Sequence, residues 1–129
     1  MSMTPQDLKY SKDHEWVRVS RTQATIGITS HTQAQLGDIV FIDLAKNGES
    51  VEEGEPAGTI ESVKAVAEVY IPLKGRIIEI NAAVNEEPEL ANSDPYGEGW
   101  LIKLQIADSS QVKDLMSADQ YDQYITEQE

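Results

Sequence analysis

Apolar residues in this chain come only in short bursts, and within each burst β-branched side chains recur at alternate positions. EWVRVS (15–20), QATIGIT (23–29), RIIEIN (76–81) and WLIKLQI (100–106) all read this way. A period of two places alternate side chains on one face of a strand, whereas a helix needs a period near 3.6. Ile and Val together number 21 against 8 Leu, which tilts the chain further toward sheet. The longest apolar runs, Ile39 to Ile42 and Val69 to Leu73, are far too short to span a bilayer. The expectation is therefore an all-β fold with minor helices, in which one sheet buries its apolar face against another.

The strands can be placed by their punctuation. Arg21-Thr22 separates the first two bursts and predicts a hairpin. Ser30 with Gln33 predicts a capping box, Gly37 a stop, and between them a short helix near 30–36. DIVFIDL (38–44) is nearly all apolar, as for a strand covered on both faces. Asn47-Gly48 and Glu53-Gly54 predict turns. Residues 57–62 and 66–71 read as two extended arms joined by Val63-Lys64-Ala65. Residues 85–99, with two Pro, two Gly and five acids, predict mostly loop. The tail predicts C-terminal helices over about 108–127, with Val112, Leu115 and Met116 on one face and Ser117 with Gln120 capping the second.

A weak internal repeat runs through the middle. Gly37 to Asp43 matches Gly75 to Asn81, and Val51 to Pro56 then matches Leu90 to Pro95. Two similar halves packed about a pseudo-twofold axis would give this pattern, and so would chance in an alternating β sequence. A chain of 129 residues is long enough for one domain, 1–129, with a core that needs no staples.

Composition removes several classes of function. With 10 basic and 23 acidic side chains the net charge is −13. Such a surface repels nucleic acid and anionic membranes and suits the basic faces of other proteins. The absence of cysteine excludes disulfides, thiolate metal sites and cysteine nucleophiles. His14 and His31 lack metal-motif spacing, and neither has a second histidine beside it in the sequence. No nucleophile elbow, P-loop or GxGxxG is present, so the reading is no catalytic residue and no metal. MSMTPQDLKY has neither a signal-peptide core nor an Arg-rich transit pattern. The expected location is cytoplasmic, or the mitochondrial matrix for a processed import product.

Lys64 stands apart. It is the only basic residue between Lys46 and Lys74, and it lies among Glu49, Glu52, Glu53, Glu55, Glu61 and Glu68. A tight hairpin tip normally holds Gly, Asn or Asp, yet here it holds Val63-Lys64-Ala65. One reading is a solvated lysine relieving acidic repulsion. The other is a lysine displayed for covalent modification, its four-carbon stem ending in a modifiable amine.

Several blocks bear on that choice: KYSKDHEWV (9–17), ATIGIT (24–29), QLGDIVFIDL (35–44), ESVKAVAEVY (61–70) and LANSDPYGEGWLIKL (90–104). Together they closely resemble the H-protein family of the glycine cleavage system, from Leu8 to about Tyr124. The resemblance implies a lipoyl/biotinyl-type β sandwich, or flattened barrel, of two similar halves. It implies that Lys64 carries a covalent lipoyl group, and that Glu61 and Gly75 serve recognition by the modifying enzyme. It also makes Glu15 and Glu68 candidates for lining a cleft that holds the arm. The implied protein is a monomeric carrier and not an enzyme. Its arm takes the aminomethyl group of glycine from the glycine decarboxylase (P protein) to the aminomethyltransferase (T protein). Dihydrolipoamide dehydrogenase (L protein) then reoxidises it, and a lipoate ligase or lipoyltransferase installs the lipoate. A lipoate relay or another lipoyl/biotinyl carrier is the alternative, although biotin carriers usually flank the lysine with Met, unlike Val63 and Ala65 here. The departures are few. Ala45 stands where the family often has Pro, residues 71–75 are bulkier and more basic than usual, and relatives vary at Asp13 and Gln35.

Overall fold

Alternation becomes architecture through pairing, and every strand pair in the fold is antiparallel. The computed structural model describes residues 5–44 and 48–128. In chain order the first elements are β1 (Lys9–Tyr10), β2 (Glu15–Ser20), β3 (Gln23–Ile28), α1 (Ser30–Leu36), β4 (Ile39–Leu44) and β5 (Ser50–Val51). There follow β6 (Pro56–Ser62), β7 (Val66–Tyr70), β8 (Gly75–Ile80), α2 (Ala82–Glu86), α3 (Leu90–Ser93) and β9 (Ile102–Ile106). A 3-10 segment (Ser109–Asp114) and α4 (Ala118–Gln128) complete the described chain.

Two sheets form a sandwich. The larger runs β1-β2-β3-β9-β8-β5 and the smaller β4-β6-β7. Their inner faces share one core: Ile42, Ile60 and Val69 from the small sheet join Ile26, Ile77 and Leu104 from the large one. Burying each such side chain is worth about 1.5–3 kcal/mol. A second cluster, Leu8, Tyr10, Trp16, Ala118 and Tyr121, seats α4 against the large sheet. The Tyr10 and Tyr121 rings stack there with centroids 4.8 Å apart. No helix among the described residues is long and apolar enough to cross a membrane.

The repeat is real in its first block. β4 and β8 each carry a register shift, between Ile39 and Phe41 in one and between Ile77 and Glu79 in the other. These positions match under the alignment of Gly37 with Gly75. The second block diverges, because Val51 belongs to a strand whereas Leu90–Ser93 is helical.

Several local expectations need correction. The helix at 30–36 is capped by Thr29, not Ser30: Thr29 accepts from Thr32 N at 3.3 Å. The Ser30 amide is held instead by the Tyr96 hydroxyl, at 2.9 Å. β4 is not covered on both faces. It is an edge strand, and its bulge turns Val40 and Phe41 outward. Residues 85–99 include α3, held by burial of Ala91. Val112, Leu115 and Met116 do not share one helical face, since Leu115 is extended and Met116 bridges to Tyr10 with both N···O distances 2.8 Å. Ser117 and Gln120 do cap each other reciprocally, as expected. Of the two-residue turn at 47–48, Asn47 lies outside the described residues, as do Ala45 and Lys46, while Gly48 adopts φ +93°.

Candidate functional site

The β6–β7 hairpin closes without glycine because a side chain takes over the turn's hydrogen bonding. Ser62 N donates to Ala65 O at 2.8 Å. The Ser62 hydroxyl donates to that same carbonyl at 3.2 Å and accepts from Ala65 N at 3.1 Å and Lys64 N at 3.4 Å. One donor and two acceptor sites are the full capacity of a hydroxyl. The usual two-residue hairpin turns need φ > 0 at one or both central residues, hence their glycine. Neither Val63 nor Lys64 has positive φ; among the described non-glycine residues only His14 and Arg21 do. The unusual tip composition therefore has a local physical cause.

The turn is also braced from below. Val63 N donates to Asp38 O at 3.0 Å. Asn92, on α3, holds the segment that carries Asp38. Its Oδ1 accepts from Ile39 N at 2.8 Å, and its Nδ2 donates to Gly37 O at 2.8 Å and Gln33 Oε1 at 3.0 Å. Four elements thus converge beneath Lys64: α1, β4, α3 and the hairpin. Lys64 is exposed, and its stem leans over Gly37, where an added Cβ would lie 3.5 Å from Lys64 Cε. Gly37 has φ +75°, so glycine there serves both the helix stop and the space above it. Among the described residues Nζ makes no ion pair with any of its acidic neighbours.

Asn92 was not singled out by motif reasoning, although it lies inside LANSDPYGEGW. We expect Asn92→Ala to cost about 2–3 kcal/mol, because it strands the Ile39 amide and the Gly37 carbonyl. Denaturant melts should show the loss. Faster amide exchange at Ile39 and Val63, beyond that of the rest of the small sheet, should localise it. Uniform exchange would mean that Asn92 does not brace the turn.

The other candidates lie in different places. Glu61 is exposed on the outer face of β6, directly between Phe41 and Val66 in register. Glu68 is exposed in the next outward row, across Thr59 from Asp43. Gly75 is buried at the start of β8, where a Cβ would collide with the Gln105 carbonyl of β9. Close strand approach accounts for glycine at that position, which offers no exposed surface to another protein.

Glu15 is 1% exposed, far from the hairpin tip, against the base of β7. Its Oε1 accepts from Ser11 Oγ at 2.6 Å and its Oε2 from Tyr70 N at 3.1 Å. Burial pushes its pKa up to about 8, against the opposing pull of those two hydrogen bonds, and Asp13 adds to the rise. The two histidines do meet in space, contrary to their sequence separation. Their ring centroids are 5.0 Å apart, and His14 Nδ1 is 2.8 Å from the Tyr121 hydroxyl. Among the described residues no cluster of three or more His, Cys, Asp or Glu could hold a metal ion. A cleft of about 560 Å³ is lined by Ser11, Asp13, Glu53, Ile71, Gln111 and Met116 among others. It lies past the far end of β7, away from Lys64.

Comparison with known proteins bears on this geometry. The family described as Glycine cleavage H-protein matches residues 8–128. A glycine cleavage system H protein of Herpetosiphon aurantiacus is 52% identical over 128 residues, covering 99% of this chain and 98% of that one. One from Bacteroides thetaiotaomicron is 54% identical over 117 residues, covering 91% and 93%. The crystal structure of a glycine cleavage system H protein from Mycobacterium marinum superposes with a TM-score of 0.84 at 36% identity, covering 96% and 98%.

Proposed function

This chain belongs to the glycine cleavage H-protein family, and on that premise we propose that Lys64 carries the lipoyl arm of a glycine cleavage system. In this reading the protein is a carrier and not a catalyst. It moves the aminomethyl group of glycine from the glycine decarboxylase (P protein) to the aminomethyltransferase (T protein), and dihydrolipoamide dehydrogenase (L protein) then reoxidises it. A lipoate ligase or lipoyltransferase attaches the cofactor. The lipoyl disulfide supplies redox and group-carrying chemistry that a chain without cysteine lacks.

The observation that carries the reading is the placing of Lys64: exposed, with no ion pair among the described residues, at the apex of a turn braced by Ser62, Asp38 and Asn92. A tethered group reaches each partner at high effective concentration only if the tether's base points it outward. The chain's own residues supply that base. Glu61, beside the lysine on the outer face, is the proposed contact for the modifying enzyme. Glu15 and Glu68 are the proposed acidic partners for a cationic group on the loaded arm. Glu68 is open to it, whereas Glu15 is buried in the fold.

Position is testable separately from lysine chemistry. The double substitution Val63→Lys with Lys64→Val keeps composition and charge. Both side chains are exposed, so the fold should survive. Only Lys64 has its stem laid over Gly37, so the swap redirects the amine. We expect modification to fall at least tenfold when the protein is expressed with ample lipoate. Intact mass reads the result, and it also separates lipoyl, biotinyl and bare lysine. Full lipoylation at position 63 would refute the positional requirement.

A further inference from the structure

Four of the five large apolar side chains exposed among the described residues crowd around the Lys64 turn. They are Val40 (54% exposed), Phe41 (49%), Val63 (68%) and Val66 (66%); the fifth, Val19, lies on the large sheet. The register explains the grouping. Phe41, Glu61 and Val66 are directly opposed across the small sheet and so share its outer face, while the neighbouring row of Ile42, Ile60 and Ala67 faces the core. The β4 bulge adds Val40, and the turn adds Val63. Among the described residues, none of the four belongs to or packs against either core cluster. An exposed apolar edge strand is an aggregation hazard that proteins usually blunt with charge.

The rim has one sign. Glu61 sits inside the patch, Asp38 flanks it, and Asp43 and Glu68 fill the next outward row, all exposed. Among the described residues of β4, β6, β7 and the turn, Lys64 is the only cation. A complementary partner therefore offers an apolar hollow ringed by cationic side chains.

The reach of the lysine narrows the partner. In loading, one proton leaves the Nζ ammonium and the freed lone pair attacks the carbonyl carbon of an activated lipoyl ester or acyl phosphate anhydride. The C–N bond forms, the bond to the activating group breaks with its electron pair, and nitrogen loses a second proton. That carbonyl must approach within one bare lysine stem of the backbone, so the enzyme performing this step has to close over the surrounding surface. Enzymes that act on the far end of a loaded arm can stand further off.

We propose that the outer face of the β4–β6–β7 sheet, with Val40, Phe41, Val63 and Val66 around Glu61, is the docking surface for the enzyme that acylates Lys64. This rests on the carrier reading of Lys64. The test is the initial rate of lipoylation of unmodified protein by purified lipoate ligase, followed by intact mass. The variants are Phe41→Thr and Val66→Thr, with Val19→Thr as control. We expect KM to rise at least tenfold in the two patch variants with kcat within twofold, and no change for Val19→Thr. Wild-type protein that gains no lipoyl mass would overturn the carrier reading itself. Wild-type loading with an unchanged KM in the patch variants, or a loss shared by Val19→Thr, would overturn the docking surface alone. Variants driven to full loading by excess ligase are then assayed with glycine decarboxylase. An unchanged rate is expected, and an equal fall there would overturn the assignment to the loading enzyme.

Discussion

Lys64→Arg should abolish lipoyl loading while moving the thermal midpoint by no more than about 2 °C, the scale of an exposed substitution worth up to ~0.5 kcal/mol. Arginine keeps the positive charge and much of the stem that lies over Gly37. Its guanidinium is protonated at every accessible pH and offers no free amine for acyl transfer. Two of the other lysines, Lys74 and Lys103, are poorer acceptors on structural grounds. Lys74 pairs with Glu52 at 3.6 Å. Lys103 pairs with Glu79 at 3.6 Å and lies 5.0 Å over the Trp100 ring. Intact mass of the variant expressed with labelled lipoate is the measurement. Label retained in Lys64→Arg would place the modification elsewhere and sink the assignment.

What could be read from the sequence divides along the range of the forces involved. β2 and β3 were legible because β-branched residues at alternate positions are a local signal, although β2 buries Trp16 and Val17 in succession and leaves Val19 exposed. β4 was misread as doubly covered because a run such as DIVFIDL does not reveal the bulge that turns Val40 and Phe41 to the surface. The two-residue strands β1 and β5 carry no pattern of their own and exist through their partners. α3 has four residues between Pro88 and Pro95, a context that reads as loop, and burial of Ala91 overrides it. Lys64 stands out in the sequence as an anomaly and through its motif, and its modification is the proposal made above. The reasons its turn works were not legible. Ser62 acts over three residues, whereas Asn92 reaches Ile39 and Gly37 across more than fifty. The sequence also gave no sign that Glu15 would be buried, since a carboxylate at the head of a strand ordinarily faces water.

Glu15 should make the protein less stable as pH rises through neutrality. Its pKa is about 8 in the fold against an ordinary glutamate value of 4.5, so between these values the folded state holds a proton that the unfolded state has released. Stability then falls with rising pH. The contribution is fully present below about 4.5 and lost by about 8, and a separation of this size corresponds to at most roughly 5 kcal/mol. Desolvation dominates. Ser11 and the Tyr70 amide favour the ionised form but do not offset the cost of a charge that is 1% exposed. Glu15→Gln keeps the shape and the Tyr70 bond while removing the titration. Urea melts from pH 5 to 8.5 should therefore decline steeply for the wild type and stay much flatter for the variant, with the two curves crossing so that the variant is the more stable at pH 8.5. Parallel curves would assign the burial cost to some other group. The same variant reports on the arm. A desolvated, buried carboxyl is where an ammonium gains most, so loaded wild-type protein should lose part of its pH dependence and retain its one-carbon group longer than loaded Glu15→Gln. Equal release rates without partner enzymes would confine Glu15 to the fold.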